Sequence, residues 1–283
     1  MLYHSFMFGR WLALKFPLKT GYKIAMLLAD IYYIFARDDR KNLEENLRVV
    51  LETDDKKRVK PLIRNVFKNF AKYLVDFLRF SRLNSDYFLA NISIEGKENI
   101  DKAMAGGKGA ILLTAHIGNW ELAGAIIARF GYPVYAIALD HADKRLNDFF
   151  LEQRMRAGVK IIPIGAHLKS CFRVLKNNGL LGILGDRDFS NHGIKANFFG
   201  KETILPKGPA FFSLRTGAPI IPLSVVRVEN DAFRVFFHEP LESVNTGDNE
   251  DDIKRFIKRY ISVIEGYIRS YPDQWYAFRK VWD

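Results

Sequence analysis

The sequence predicts an α/β fold, a mixed and largely parallel central sheet flanked by helices, with a helical region at its N-terminal end. Three observations lead there. The 283 residues are 48% hydrophobic and 27% charged, which is enough apolar material for a full core and excludes a disordered or fibrous chain. From residue 91 onward, short apolar β-branched runs alternate with helical stretches, the pattern of a sheet covered on both faces. Before residue 91 only helical spacing occurs. The chain therefore divides into a helical region, 1–90, and an α/β domain, 91–283, and the absence of linker-like composition between them predicts that they pack together.

The first segment mixes basic and aromatic residues: Arg10, Lys15, Lys19 and Lys23 are interleaved with Phe6, Phe8, Trp11, Leu12, Leu14 and Phe16. A membrane-spanning helix needs about 20 nearly uncharged apolar residues. Here a cation interrupts every four or five positions, so no spanning helix is expected, and no small-residue cleavage pattern marks a signal peptide. Lys15, Lys19 and Lys23 fall along one side of a helix expected from about Pro17, while Ile24, Leu27, Leu28 and Ile31 continue apolar. Two readings fit this segment: a helix lying in a membrane interface, or one packed on its own domain with its lysines in water. A second helix is expected to start at Pro61, with Ile63, Val66, Phe67, Phe70, Tyr73 and Leu74 at helical spacing and Lys68 and Lys72 opposite, a stripe typical of core.

Strands are expected over 92–95, 110–115, 134–139, 159–163, 180–185, 220–228 and 233–238. Helices are expected over 119–129, 143–157, 167–177, 208–216 and 250–270. No repeat of 20–50 residues suggests a solenoid. The single cysteine, Cys171, can close no internal disulfide, and on its helix beside Phe172 it reads as a small buried residue. The other histidines, at 4, 141, 167, 192 and 238, share no metal spacing, so no metal is expected. Lys and Arg number 43 against 32 Asp and Glu, a net +11, and residues 1–90 hold 17 of the former and 10 of the latter, an excess of seven. Such charge attracts nucleic acid, an anionic membrane or an acidic protein. No helix-turn-helix, zinc-finger or RNP pattern accompanies it, and nucleic acid is not an expected partner.

In parallel sheets ligands gather at the carboxyl ends of strands. The run 110–115 leads directly into His116-Ile117-Gly118-Asn119-Trp120-Glu121, placing His116 at a strand-to-helix junction. Five residues along a regular helix rotate by about 140°, so His116 and Glu121 can meet only if the histidine precedes the helix. In that geometry the carboxylate fixes the imidazole tautomer and the other ring nitrogen can take a proton from a hydroxyl. Gly118 would allow close approach of a substrate, or a tight turn. The same sheet edge carries Gly185-Asp186-Arg187-Asp188, putting carboxylates and a guanidinium near His116. The plainer alternatives are a structural histidine and a solvated turn closed by its own ion pair.

Thr114-Ala115-His116-Ile117-Gly118-Asn119-Trp120-Glu121 resembles the H-x-x-x-x-D/E signature of glycerolipid acyltransferases, in the form found in the lipid A biosynthesis late acyltransferases. The resemblance continues through Gly185-Asp186, Phe198-Phe199-Gly200, Pro206-Lys207-Gly208-Pro209-Ala210, Thr216-Gly217-Ala218-Pro219-Ile220-Ile221-Pro222 and Tyr271-Pro272-Asp273-Gln274-Trp275 with Arg279. At the N-terminal side it includes Arg40 and Asn46-Leu47, so it covers the chain from about residue 40 to the end. Arg187 stands where many members have Gln, and Phe278 where an aromatic-His-Arg run is common.

The resemblance implies a glycerolipid acyltransferase-like fold and transfer of a fatty acyl chain from acyl carrier protein or acyl-CoA, as co-substrate and with no cofactor, to a hydroxyl of a membrane glycolipid such as a lipid A precursor. A phosphatidylinositol mannoside, a lysophospholipid, or a non-catalytic lipid-binding role are the alternatives. His116 would be the general base oriented by Glu121. Backbone N–H groups near Gly118 and Asn119 would receive the oxyanion, and Asn147, Arg154, Asp186 and Arg187 would line the substrate cleft. Phe198-Phe199-Gly200 would cover an acyl pocket or form a buried turn. An enzyme of this kind works on a bilayer lipid, which favours the interfacial reading of residues 1–35 and a peripheral position on the cytoplasmic face of an inner membrane.

Overall fold

β2 (Ala110–Thr114) is the axis on which the site is built. All five of its residues are buried, and it lies in the middle of a seven-stranded sheet in the computed structural model. The structure describes residues 2–82, 87, 90–139, 141–163, 168–189 and 192–282. The sheet order is β1 (Ile92–Glu95), β9 (Phe233–Phe237), β8 (Ile220–Arg227), β2, β5 (Leu180–Leu184), β3 (Val134–Ala138) and β4 (Lys160–Pro163). From β8 to β4 all neighbours are parallel; β9 is antiparallel to β8, and β1 is parallel to β9. The mixed, largely parallel sheet read from the sequence is the one that forms, each strand within a residue of its expected span.

Among the described residues, the long helices α1 (Leu2–Lys15), α2 (Leu18–Phe35), α3 (Arg37–Val50) and α4 (Lys56–Leu78) precede the sheet. α4 begins five residues earlier than the Pro61 start read from the sequence, because Asp55 caps it by accepting from the Lys57 N–H at 2.8 Å; Pro61 lies inside the helix. α2 packs on α4, burying Tyr22 and Ala29. α3 holds the C-terminal run: Asn46 donates to the carbonyls of Ala277 and Arg279, both at 2.8 Å, and accepts from the Val281 N–H at 3.1 Å. Arg40 donates to the Tyr33 and Ile34 carbonyls near the end of α2. Phe278 packs edge-on against Phe67 and Phe70 of α4, with ring centroids 5.2 Å apart in each pair. The helical region and the α/β domain are thus joined by buried contacts.

The sheet is covered by α5 (Lys97–Ala105), α6 (Trp120–Arg129), α7 (Lys144–Arg156), α8 (Leu168–Lys176), α9 (Gly208–Thr216) and α10 (Asn249–Ser270). Alternation along the strands separates two cores. Leu112 and Leu223 face Leu122, Ile126 and Ile127 of α6, whereas Ile111 and Leu113 face the opposite layer, which holds Ile257, Ile261 and Ile264 of α10. α5 and the two-stranded hairpin of β6 (Ile194–Phe198) and β7 (Lys201–Leu205) are not apparent in the sequence pattern. Phe198-Phe199-Gly200 ends β6 and turns the hairpin, with Phe199 and Gly200 both at positive φ. The two phenylalanines are buried against Trp275 and Trp282, so the expectation that they cover an acyl pocket gives way to the buried turn. The expected helix start at 167, and His167, lie outside the described residues.

Candidate active site

The register of β2 and β5 builds the site. Thr114 pairs with Leu184 at the carboxyl ends of the two strands, and the Gly185 N–H continues the ladder to the Thr114 carbonyl at 2.8 Å. Two residues further along each strand stand His116 and Asp186. Their side chains meet: imidazole Nδ1 lies 2.8 Å from Asp186 Oδ1. The carboxylate is fully buried, its other oxygen accepts from Trp275 Nε1 at 3.0 Å, and Arg187 Nε lies 3.5 Å away. Burial alone would raise this carboxyl. The charges of His116 and Arg187, with hydrogen bonds from His116 and Trp275, overcome it and hold Asp186 well below the usual carboxylate range.

Glu121 is elsewhere. Its carboxylate takes a two-pronged contact from Arg154 of α7, with Nε at 3.1 and 3.0 Å and Nη2 at 2.6 Å. Burial acts to lower the Arg154 guanidinium, and the facing Glu121 charge reverses this and raises it. The expected orientation of His116 by Glu121 is therefore corrected: the carboxylate on the imidazole is Asp186. The reason is geometric, since Glu121 is already the second residue of α6 and turns away, while the sheet sets Asp186 beside His116. Glu121 instead ties α6 to α7. Because the pair is largely buried, Glu121→Gln is expected to cost about 1.5–3 kcal/mol of stability, the range for hydrogen bonds to charged groups, measurable by urea unfolding.

The turn between β2 and α6 also departs from expectation. Gly118 has φ +58°, its N–H donates to the Gln274 carbonyl at 2.9 Å, and the Asn119 N–H donates to the Val225 carbonyl at 2.7 Å. These are the backbone groups proposed from the sequence for the oxyanion, and both are already engaged. A Cβ on Gly118 would sit 1.9 Å from the Val225 carbonyl oxygen, so the glycine serves close backbone packing, not substrate approach. Asn119 is buried as the N-cap of α6: it accepts from the Leu122 N–H at 3.0 Å and donates to Asp76 at 3.1 Å. Asp76 also receives Tyr22 and Arg227, and burial pushes its carboxyl up against their influence. Asn119 is accordingly a structural residue. Asn147, expected in the cleft, accepts from the His141 N–H at 3.0 Å and does not border the cavity.

That cavity, of about 1060 Å³, opens beside His116. Trp120 and Phe189 stand edge-on to the imidazole, at 5.3 and 5.8 Å between centroids, and Arg187, Glu121 and Arg154 all border the space. Most of the remaining wall is aliphatic or aromatic, which suits a hydrocarbon. The Thr114 hydroxyl, also on the wall, is buried and makes no hydrogen bond among the described residues. Cys171 borders the cavity as well, and burial pushes its thiol up to about 11, so it is no thiolate nucleophile at neutral pH. The residue missed by sequence reasoning is Trp275, which anchors Asp186. Its signal is the Tyr-Pro-Asp-Gln-Trp block; the backbones of Gln274 within it and of Tyr276 just after it clamp the turn as well, Tyr276 N–H donating to the His116 carbonyl at 2.9 Å.

The model of the bacterial lipid A biosynthesis acyltransferase family matches residues 2–283. The chain is 24% identical to a phosphatidylinositol mannoside acyltransferase of Mycobacterium tuberculosis (strain CDC 1551 / Oshkosh), over 86% of this chain and 77% of the relative. It is 24% identical to the protein of the same name from Mycolicibacterium smegmatis, over 78% and 72%. To the lipid A biosynthesis palmitoleoyltransferase of Escherichia coli (strain K12) it is 23% identical, over 64% and 58%.

Proposed function

Since the chain belongs to the bacterial lipid A biosynthesis acyltransferase family, and is an acyltransferase, we propose that it moves a fatty acyl group from an acyl carrier protein or acyl-CoA thioester to a hydroxyl of a membrane glycolipid, with His116 as general base. The observation that carries this is the His116 ring, held through Nδ1 by a buried carboxylate and bordering a large apolar cavity.

A carboxylate on Nδ1 makes that nitrogen the protonated one in the neutral ring and leaves Nε2 basic. The acceptor hydroxyl gives its proton to Nε2 as its oxygen bonds to the thioester carbonyl carbon. Collapse of the tetrahedral intermediate breaks the C–S bond, and the imidazolium returns the proton to the departing sulfur. Holding the base in place accounts for about 10²–10⁴-fold of rate. With the Gly118 and Asn119 amides engaged, the Thr114 hydroxyl and the Arg187 guanidinium are the donors on the cavity wall proposed for the developing oxyanion. The apolar wall receives the acyl chain. Relatives named for lipid A and for phosphatidylinositol mannoside share a glycolipid acceptor, and that shared chemistry is the acceptor class proposed here.

Membrane docking is assigned to α1 and α2. No helix among the described residues is long and apolar enough to cross a bilayer. Yet Trp11, Leu27, Leu28, Ile31, Ile34 and Phe35 are exposed, and Lys15 of α1 and Lys19 and Lys23 of α2 are exposed on the same two helices. An apolar outward surface with basic residues around it suits the interface of an anionic bilayer, such as the cytoplasmic face of an inner membrane. Each basic residue near such a surface contributes about 1 kcal/mol. Replacing all three lysines with Glu is expected to release the chain from anionic vesicles in a flotation assay without changing its thermal melt. Undiminished flotation would assign docking elsewhere. Basic surface also suits an acidic carrier protein, through orientation and on-rate.

The function is tested by incubating the full chain with radiolabelled palmitoyl carrier protein or palmitoyl-CoA and vesicles bearing either a lipid A precursor or a phosphatidylinositol mannoside. Label is expected in one glycolipid, and none with His116→Ala. Equal labelling by that variant, or label in neither lipid, contradicts the proposal.

A further inference from the structure

The cavity occupies both faces of the sheet. Leu112, Gly182 and Ala136 are cross-strand neighbours on β2, β5 and β3, facing α6, whereas Ile183 and Ile137, next along β5 and β3, face the opposite core. All five border the same space. It therefore has two apolar arms. The first runs between the sheet and Ala123, Gly124 and Ile127 of α6 as far as Leu223; its floor is low because positions 182 and 136 carry only a hydrogen and a methyl. The second passes beneath α8 and α9, between Ile183 and the group Leu168, Cys171, Pro209 and Phe212. The arms join at the carboxyl edge of β5, next to His116. At about 1060 Å³ the whole stands at the upper limit of the roughly 300–1,000 Å³ range of ligand pockets.

Acyl transfer needs the donor carbonyl and the acceptor hydroxyl within about 3–3.5 Å at one nitrogen. When the acceptor is itself a lipid, each reactant brings hydrocarbon to that point. A chain lifted from a bilayer is favoured only if another apolar environment replaces the one it left. We propose that the second arm is a separate hydrocarbon site, which seats a chain already present on the acceptor lipid while the donor's acyl chain fills the first. The arms differ at their entrances in a way that supports this assignment. Of the polar residues that border the cavity, Trp120 and the mutually neutralised Glu121–Arg154 pair belong to α6 and α7, on the side of the first arm, whereas Arg187 follows β5 and Lys207 immediately precedes α9, the elements that wall the second, so an acceptor headgroup phosphate has cations to meet there. The identity of the occupants rests on the acyltransferase reading; the existence of two sites does not.

Two measurements separate these claims. Native mass spectrometry of the full chain with palmitic acid is expected to show two bound molecules, falling to one in Gly182→Leu, which fills the first arm, and to one in Cys171→Phe, which fills the second. One molecule in the wild type, or two in both folded variants, overturns the two-site claim whatever the activity. In the transfer assay, Gly182→Leu is expected to shift preference toward shorter donor chains. Cys171→Phe is expected to raise KM at least ten-fold for a diacyl phosphatidylinositol mannoside or a tetraacyl lipid A precursor, whichever the wild type acylates, to leave KM for its short-chain analogue within two-fold, and to leave donor chain-length preference in place. The reverse pattern overturns the assignment of occupants. Absence of any transfer by the wild type counts against the acyltransferase reading, and with it the named occupants, while palmitate stoichiometry still decides the two sites. Should Cys171→Phe fail to fold, Leu168→Trp, at the exposed end of the same arm, replaces it.

Discussion

Asp186→Asn is expected to lower acyl transfer by about 10²–10⁴-fold with the fold retained. The amide keeps the size and the Trp275 contact but loses the charge that favours a protonated Nδ1 and stabilises the imidazolium formed as Nε2 takes its proton. A second consequence follows from linkage. The folded Asp186 carboxyl lies below its unfolded value, so the native state binds fewer protons there and the carboxylate stabilises it. That contribution is complete above about pH 4, where the unfolded carboxyl is also ionised, and is lost as pH falls further toward the folded value. The stability gap between wild type and D186N, measured by thermal melts, should thus be widest near neutrality and shrink below about pH 4. A gap unchanged from pH 7 to pH 3 would show that the charge of this group is not what the site holds.

The largest stability effect is expected for Gly118→Ala. A positive φ costs an L-residue with a side chain about 1–3 kcal/mol, and the added methyl would meet the Val225 carbonyl oxygen, a backbone atom that cannot rotate away. Relief requires moving the turn, which disturbs both its hydrogen bonds to Val225 and Gln274 and the position of His116. We expect a loss of at least about 3 kcal/mol in urea unfolding, with turnover falling alongside. A loss under about 1 kcal/mol would mean that β8 yields at this point.

The sheet was legible because its strands are short β-branched runs bounded by turns, and strand position needs only local pattern. α5 and the β6–β7 hairpin were not. Lys97–Ala105 is a short, mostly polar helix that buries only Ile100 and Ala103, and the hairpin strands carry exposed Lys195, Lys201 and Glu202 in place of a clean apolar run. The strand-end position of His116 and its nearness to Asp186 on the neighbouring strand follow from the parallel sheet pattern. What sequence could not supply was which acid the ring faces. That depends on strand register, Thr114 against Leu184, and on Arg154 reaching Glu121 from a different helix. Nor could it show that Asn119 is consumed by a buried partner 43 residues earlier, Asp76. Long-range hydrogen bonding decided each of these.

Nitrogen-15 NMR of the labelled chain near neutral pH addresses the dyad directly, with His116 assigned among the six histidines by its loss in His116→Ala. A protonated Nδ1 and a free Nε2 are predicted for the wild type and for Glu121→Gln, with the Nδ1–H signal lost or shifted upfield in Asp186→Asn. The signal persisting in D186N while vanishing in E121Q would contradict the pairing on which the proposed chemistry stands.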